Sequence, residues 1–281
     1  MKRAIKNFKS GSFASFDGTR IYYEMSGKSN SNKTMLFLHG LGGNLTAWDP
    51  QRKYFENLGY TTIAIDLRGH GLSERPNDRA KYTPEIIAKD VLCIINDYKI
   101  NNFVLVGHCI GGMVALVLTA SHNVKPKALV LIATTYQLPS LATFVERLKI
   151  LDFSSDVLNQ LPFLLGKPGH SPMKQFKGTH DLSPRRILSD IFNTTVQSYI
   201  SLCSNFFNFN GRKLLSKINC PTLIIHGGKD IVFPAKIAPK LHKYIKNSKL
   251  VLLPNANHIL VLNNPDELNC IINQYLKQIK V

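Results

Sequence analysis

The stretch Asn102-Phe-Val-Leu-Val-Gly107-His-Cys109-Ile-Gly-Gly112 decides the fold. An apolar run reads as a buried strand and ends at Gly107. A helical pattern, Gly-Met-Val-Ala-Leu-Val, begins at once on the other side of Cys109. Strand, turn and helix in that order form the context of a G-x-nucleophile-x-G elbow. Glycines flank the turn because the nucleophile sits on strained backbone, where a neighbouring side chain would clash. The nucleophile position holds cysteine where serine is usual.

Partners for Cys109 stand further along the chain. The apolar strand Pro221-Thr-Leu-Ile-Ile-His226 leads into Gly227-Gly-Lys-Asp230. The next strand, Lys249-Leu-Val-Leu-Leu-Pro254, leads into Asn255-Ala-Asn-His258. Nucleophile, acid and histidine therefore follow in chain order, each at the carboxyl end of a strand. Upstream, Met35-Leu-Phe-Leu38 runs into His39-Gly-Leu-Gly-Gly43, a turn placed to offer a backbone N–H to an oxyanion. The segment Ile63-Ala-Ile-Asp66 closes another strand before the glycine-rich loop Leu67–Ser73.

These motifs make the chain resemble the α/β-hydrolase superfamily, in its compact esterase-like branch, from about Gly18 onward. The resemblance implies an α/β fold: a mostly parallel central sheet flanked by helices, with a helical cap inserted. The core is then residues 1–135 and 213–281, and the cap is 136–212, where helical apolar patterns appear without a clear strand. It also implies a triad of Cys109, His258 and Asp230, with the backbone N–H groups of Leu41 and Ile110 as oxyanion donors. Dienelactone hydrolases and polyhydroxyalkanoate synthases are similar in carrying an elbow cysteine, although the latter are longer.

The rest of the composition fits. A chain of 281 residues with 44% hydrophobic residues supplies one large core. Alternating strand and helix patterns argue for a sheet covered on both faces. The basic start lacks an apolar stretch of the secretory kind, and no segment has the length and apolarity to span a bilayer. Five cysteines, odd in number and scattered, form neither a disulfide framework nor a metal spacing. A reducing cytoplasm is the expected home. A net charge of +17 reads first as solvated lysine. Attraction to an anionic membrane surface is the second reading, and no nucleic-acid motif accompanies the charge.

Smaller elements follow from local signals. Ser12 to Glu24 reads as a hairpin turning at Asp17-Gly18. Trp48–Leu58 and Pro84–Tyr98 read as helices, the second capped by Thr83. Asp66 reads as a structural carboxylate, and His39, His70 and His108 as residues that shape turns. Trp48, Phe144, Leu148 and Val232 are the expected lining of an acyl pocket.

The expected activity is hydrolysis of a small or medium carboxylic ester or thioester through a thioester acyl-enzyme. The thiolate is the reactive form of cysteine, and a helix N-terminus favours that anion. Acyl transfer to an acceptor other than water is the alternative, and a hydrolase-like ligand sensor is the second. Neither cofactor nor metal is implied.

Overall fold

The computed structural model describes residues 9–27, 33–122, 124–138, 169–181 and 183–281. Strands β3 (Thr34–Leu38), β5 (Phe103–His108) and β6 (Ala128–Ile132) are apolar but for Thr34 and His108 at their ends because both of their faces are covered. Successive side chains point to opposite faces. Met35, Phe37, Val104 and Val106 accordingly join one core cluster, and Leu36, Leu38, Phe103 and Leu105 join the other.

β1 (Lys9–Ala14), β2 (Arg20–Ser26), β4 (Thr61–Ile65), β7 (Thr222–Gly227) and β8 (Ser248–Leu253) complete an eight-stranded sheet of order β1-β2-β4-β3-β5-β6-β7-β8. β1 and β2 pair antiparallel, as do β2 and β4, and every other pairing is parallel. Crossover helices make the parallel pairs reachable. They include α1 (Asp49–Asn57), α2 (Pro84–Asp97) and α3 (Ile110–Ser121). β3 lies between β4 and β5, so the winding direction reverses beside it. A crevice opens at the carboxyl ends of strands at such a reversal.

Local readings hold with adjustments. Thr83 caps α2, its hydroxyl accepting the Ile86 N–H at 3.3 Å. The first hairpin is wider than a two-residue turn. Ser15 N–H donates to Thr19 O at 2.8 Å, and Gly18 supplies a φ of 82°.

Between β6 and β7 the described residues carry helices α4 (Pro184–Thr194) and α5 (Val196–Phe207). Both ends of this insertion meet at one place. Gly211 N–H donates to Tyr136 O at 2.7 Å, and Gln137 pairs antiparallel with Asn210. α6 (Ala238–Tyr244) links β7 to β8, and α7 (Pro265–Gln278) packs on the sheet near the chain end. Among the described residues no helix is long and apolar enough to cross a membrane. All five cysteines are free.

Candidate active site

Cys109 is the single residue between β5 and α3. Its backbone, at φ 53° and ψ −122°, lies where a side chain is rarely tolerated. Surrounding bonds hold it there. Cys109 N–H donates to Ile132 O at 3.1 Å, and its carbonyl accepts from Thr134 Oγ1 at 2.6 Å and Gly112 N at 3.0 Å. The flanking glycines are required by close backbone approach. A Cβ on Gly107 would stand 2.5 Å from Gly111 O, and one on Gly111 would stand 2.4 Å from Leu38 O.

Asp230 follows β7 and His258 follows β8, and the turns bring them together. His258 Nδ1 donates to Asp230 Oδ2 at 2.8 Å, and the Cys109 side chain lies close enough to act on the charge of the ring. With Nδ1 committed to Asp230, Nε2 is the nitrogen facing the thiol. Asp230 Oδ1 accepts the N–H groups of Val232 at 2.9 Å and Phe233 at 2.8 Å. Sequence reasoning missed a second histidine on this acid. His226 Nε2 lies 3.3 Å from Asp230 Oδ2 while bonding Phe233 O more closely, at 2.7 Å. Its place four residues before Asp230, at a strand end, was the available signal.

Electrostatics favour a charged pair. Burial alone would raise the Asp230 pKa. The hydrogen bonds from His226 and His258, with the His258 charge, instead hold it well below the usual carboxylate range. Burial opposes charge on His258 as well. Negative charge at the Cys109 sulfur, the hydrogen bond to Asp230 and the Asp230 charge outweigh it and raise His258 to about 10.

Leu41 and Ile110 flank the nucleophile. Ile110 opens α3, so its N–H has no intrahelical acceptor. His39 holds the turn that carries the Leu41 N–H. Leu67 N–H donates to His39 Nε2 at 3.0 Å, which leaves the proton on Nδ1, bonded to Gly40 O at 2.8 Å. Gly43 N–H holds the same carbonyl at 3.1 Å. A trans peptide directs its N–H opposite its C=O, so the Leu41 N–H points away from that anchor. Gly40 itself abuts the nucleophile, since a Cβ there would lie 3.0 Å from Cys109 Cβ.

The remaining candidates fall into supporting places. Asp66 is wholly buried and accepts from Leu45 N, Leu72 N and His170 Nε2 at 2.8, 2.7 and 2.6 Å, a turn-forming role. His108 Nε2 holds the His258 carbonyl at 2.9 Å. His70 bonds Arg68 O at 3.1 Å. Val232 is half-buried in the Asp230 turn. Trp48 is corrected: it is 0% exposed and packs on Phe37 with ring centroids 5.1 Å apart. It presents no surface to a ligand and belongs to the core. Phe144 and Leu148 lie outside the described residues. Asp181 was missed altogether, being a lone acid in a loop with no motif around it. Its carboxylate binds His258 N–H at 2.9 Å and Ile231 N–H at 3.2 Å.

A strained strand–turn–helix elbow, an acid–histidine pair and a topological reversal on one mainly parallel sheet define the class of the α/β hydrolases. Residues 33–265 match the family described as alpha/beta hydrolase fold, and the chain belongs to that family. It is 27% identical to epoxide hydrolase 3 of Xenopus tropicalis over 93% of this chain and 76% of that protein. It is 25% identical to the mouse protein ABHD8 over 88% of this chain, spanning only 56% of that relative's length. Among solved structures, the esterase EaEST from Exiguobacterium antarcticum is similar, with a TM-score of 0.76 at 24% identity. That similarity covers 96% of this chain and all of the esterase, and it concerns the fold.

Proposed function

We propose that this protein hydrolyses a small or medium carboxylic ester or thioester, with Cys109 as nucleophile, His258 as proton carrier and Asp230 as the group that orients it. The observation that carries the reading is the Asp230–His258 hydrogen bond set beside Cys109 at the strained elbow. The Cys109 thiolate adds to the substrate carbonyl, and the oxyanion forms between the N–H groups of Leu41 and Ile110. The tetrahedral adduct collapses as the His258 imidazolium gives its proton to the leaving oxygen or sulfur, leaving a thioester on Cys109. Neutral His258 then takes a proton from water, whose oxygen adds to the thioester. Collapse releases the acid and restores the thiolate–imidazolium pair. Residues 136–212 act as a cap over this site. No step calls for a metal or cofactor.

The cysteine also supports a second reading, because a thioester passes its acyl group to amines and thiols as readily as to water. A rapid-mixing trace with 4-nitrophenyl acetate separates these readings. Steady 4-nitrophenolate release that disappears in Cys109→Ala is the expected result. A stoichiometric burst followed by a stall assigns acyl transfer instead. Release that survives in Cys109→Ala refutes the cysteine nucleophile, and absence of any release with ligand-induced stabilisation favours a sensor.

A further inference from the structure

Three buried polar atoms without a partner lie on α4: Arg186 Nε, Asp190 Oδ1 and Asn193 Nδ2. They are three of nine such side-chain atoms among the described residues, a concentration that calls for a cause. Their spacing, four and then three residues, sets them along one stripe of the helix. Each unpaired buried polar atom costs about 1–3 kcal/mol, and native folds keep few of them. A stripe of three marks a place where a bound molecule supplies the missing partners.

Contacts of the stripe show what it faces. Gly42, at φ 71° in the oxyanion loop, packs against Asp190 so closely that a Cβ would stand 2.2 Å from Asp190 Cβ. Arg186 Nη1 holds Asp190 Oδ2 at 2.8 Å, and its Nη2 donates to the Asp181 carbonyl. Asp181 in turn binds the His258 N–H. The stripe therefore spans from the oxyanion loop to the histidine loop. Asp190 itself is 2% exposed.

The chemistry of the three atoms selects the ligand. As a carboxylate, Asp190 accepts a hydrogen bond at Oδ1, whereas Nε–H and Nδ2–H donate. An anion would face the Asp190 carboxyl and a cation would face Arg186, so a neutral group that both donates and accepts fits best. A hydroxyl is the smallest such group. The leaving group must lie toward His258, which protonates it, while Asp190 touches the oxyanion loop. The hydroxyl accordingly belongs to the acyl half.

We propose that Asp190, Arg186 and Asn193 form a subsite for a hydroxyl on the acyl group, making hydroxyacyl esters or thioesters the preferred substrates. The hydroxyl donates to Asp190 Oδ1 and accepts from Arg186 Nε or Asn193 Nδ2. This rests on the cysteine-hydrolase reading above, and two measurements keep the ideas separable.

The first compares kcat/KM for 4-nitrophenyl butyrate with its 2-hydroxy and 3-hydroxy analogues, each normalised to its rate with hydroxide. Wild type should favour one hydroxy ester by about tenfold to a hundredfold, the factor expected from pairing otherwise orphaned buried groups. The ratio should collapse toward one in Asp190→Leu. It should also fall in Asp190→Asn, which keeps an oxygen on Arg186 but puts an N–H₂ where the acceptor stood. The isosteric variant preserves the test if leucine prevents folding. The second measurement needs no turnover: thermal melts of Cys109→Ala with butyrate or either hydroxybutyrate. A larger shift with a hydroxy acid supports the subsite even if no ester is cleaved. Ester cleavage with equal normalised rates, and equal melt shifts, overturns the subsite and leaves the hydrolase reading standing.

Discussion

The Asp181 carboxylate accepts the backbone N–H of His258 through Oδ1 at 2.9 Å and that of Ile231 through Oδ2 at 3.2 Å. Ile231 adjoins Asp230, so one buried side chain from the insertion between β6 and β7 ties the Asp230 and His258 loops together. Asp181→Ala leaves two N–H groups without their acceptor, a loss of about 1–3 kcal/mol where such groups stay buried. The expected result is a fall in kcat of roughly tenfold or more with KM little changed, because the imidazole shifts while the pocket remains. Asp181→Asn, which keeps one oxygen, should fall between. Steady-state kinetics on both variants check this, and unchanged kcat in the alanine variant would refute it.

Gly111→Ala should damage stability more than any surface change. The added methyl would meet Leu38 O at 2.4 Å and His39 O at 2.5 Å, backbone atoms that cannot rotate away. α3 must then move off β3, at a cost of roughly 1–3 kcal/mol or more. Denaturant melts read the loss, and turnover should fall further than stability because Ile110 N–H moves with the helix. A variant as stable as wild type would show that α3 does not press on β3.

Acid should unfold the protein through its buried neutral histidines. Burial, chiefly, lowers His39 to about 3, His70 to about 4 and His108 to about 3, against an ordinary value near 6.5. These groups contribute stability that is present above about pH 6.5 and lost as pH falls toward their folded values, since only the unfolded chain takes up the protons. His70→Leu removes one such group, so its stability should fall less steeply than wild type between pH 6.5 and 4.5, by about one proton per molecule. Parallel slopes in urea melts would refute a neutral His70.

Much of the fold was legible because its cause is local. The Phe103–Val106 run is covered on both faces and is apolar throughout, and Gly107 and Gly111 announce the elbow because backbone passes where their side chains would be. Cys109, Asp230 and His258 were readable as motifs at strand ends. Asp181 and the Asp190 stripe were not, because the loops they touch lie far along the chain: Asp181 bonds His258 from 77 residues away, whereas His226 stands four residues from Asp230 and carried a signal that went unread. Trp48 misled for the converse reason. An aromatic residue soon after the His39-Gly40 turn suits a pocket or a core equally well, and only its packing on Phe37 decides.

Replacing Cys109 by serine should invert the pH profile. His258 stands at about 10 against the opposition of burial, and the charge of Cys109 is the foremost cause holding it there. A serine hydroxyl stays protonated across the working range, so the variant cannot place a negative charge beside His258, while Asp230 still supports the ring. The His258 pKa must fall. Wild type needs the imidazolium to protonate a poor leaving group, so with an alkyl ester kcat/KM should hold to about pH 9 and then drop, roughly tenfold per pH unit above 10. The serine variant needs neutral imidazole to take the hydroxyl proton, so its smaller rate should rise with pH through the lowered His258 value and then level. Measuring kcat/KM from pH 5 to 10.5 on both proteins decides. Identical profiles would mean that His258 does not share its proton with Cys109 as an ion pair, and the nucleophile would then be activated by general-base removal in both.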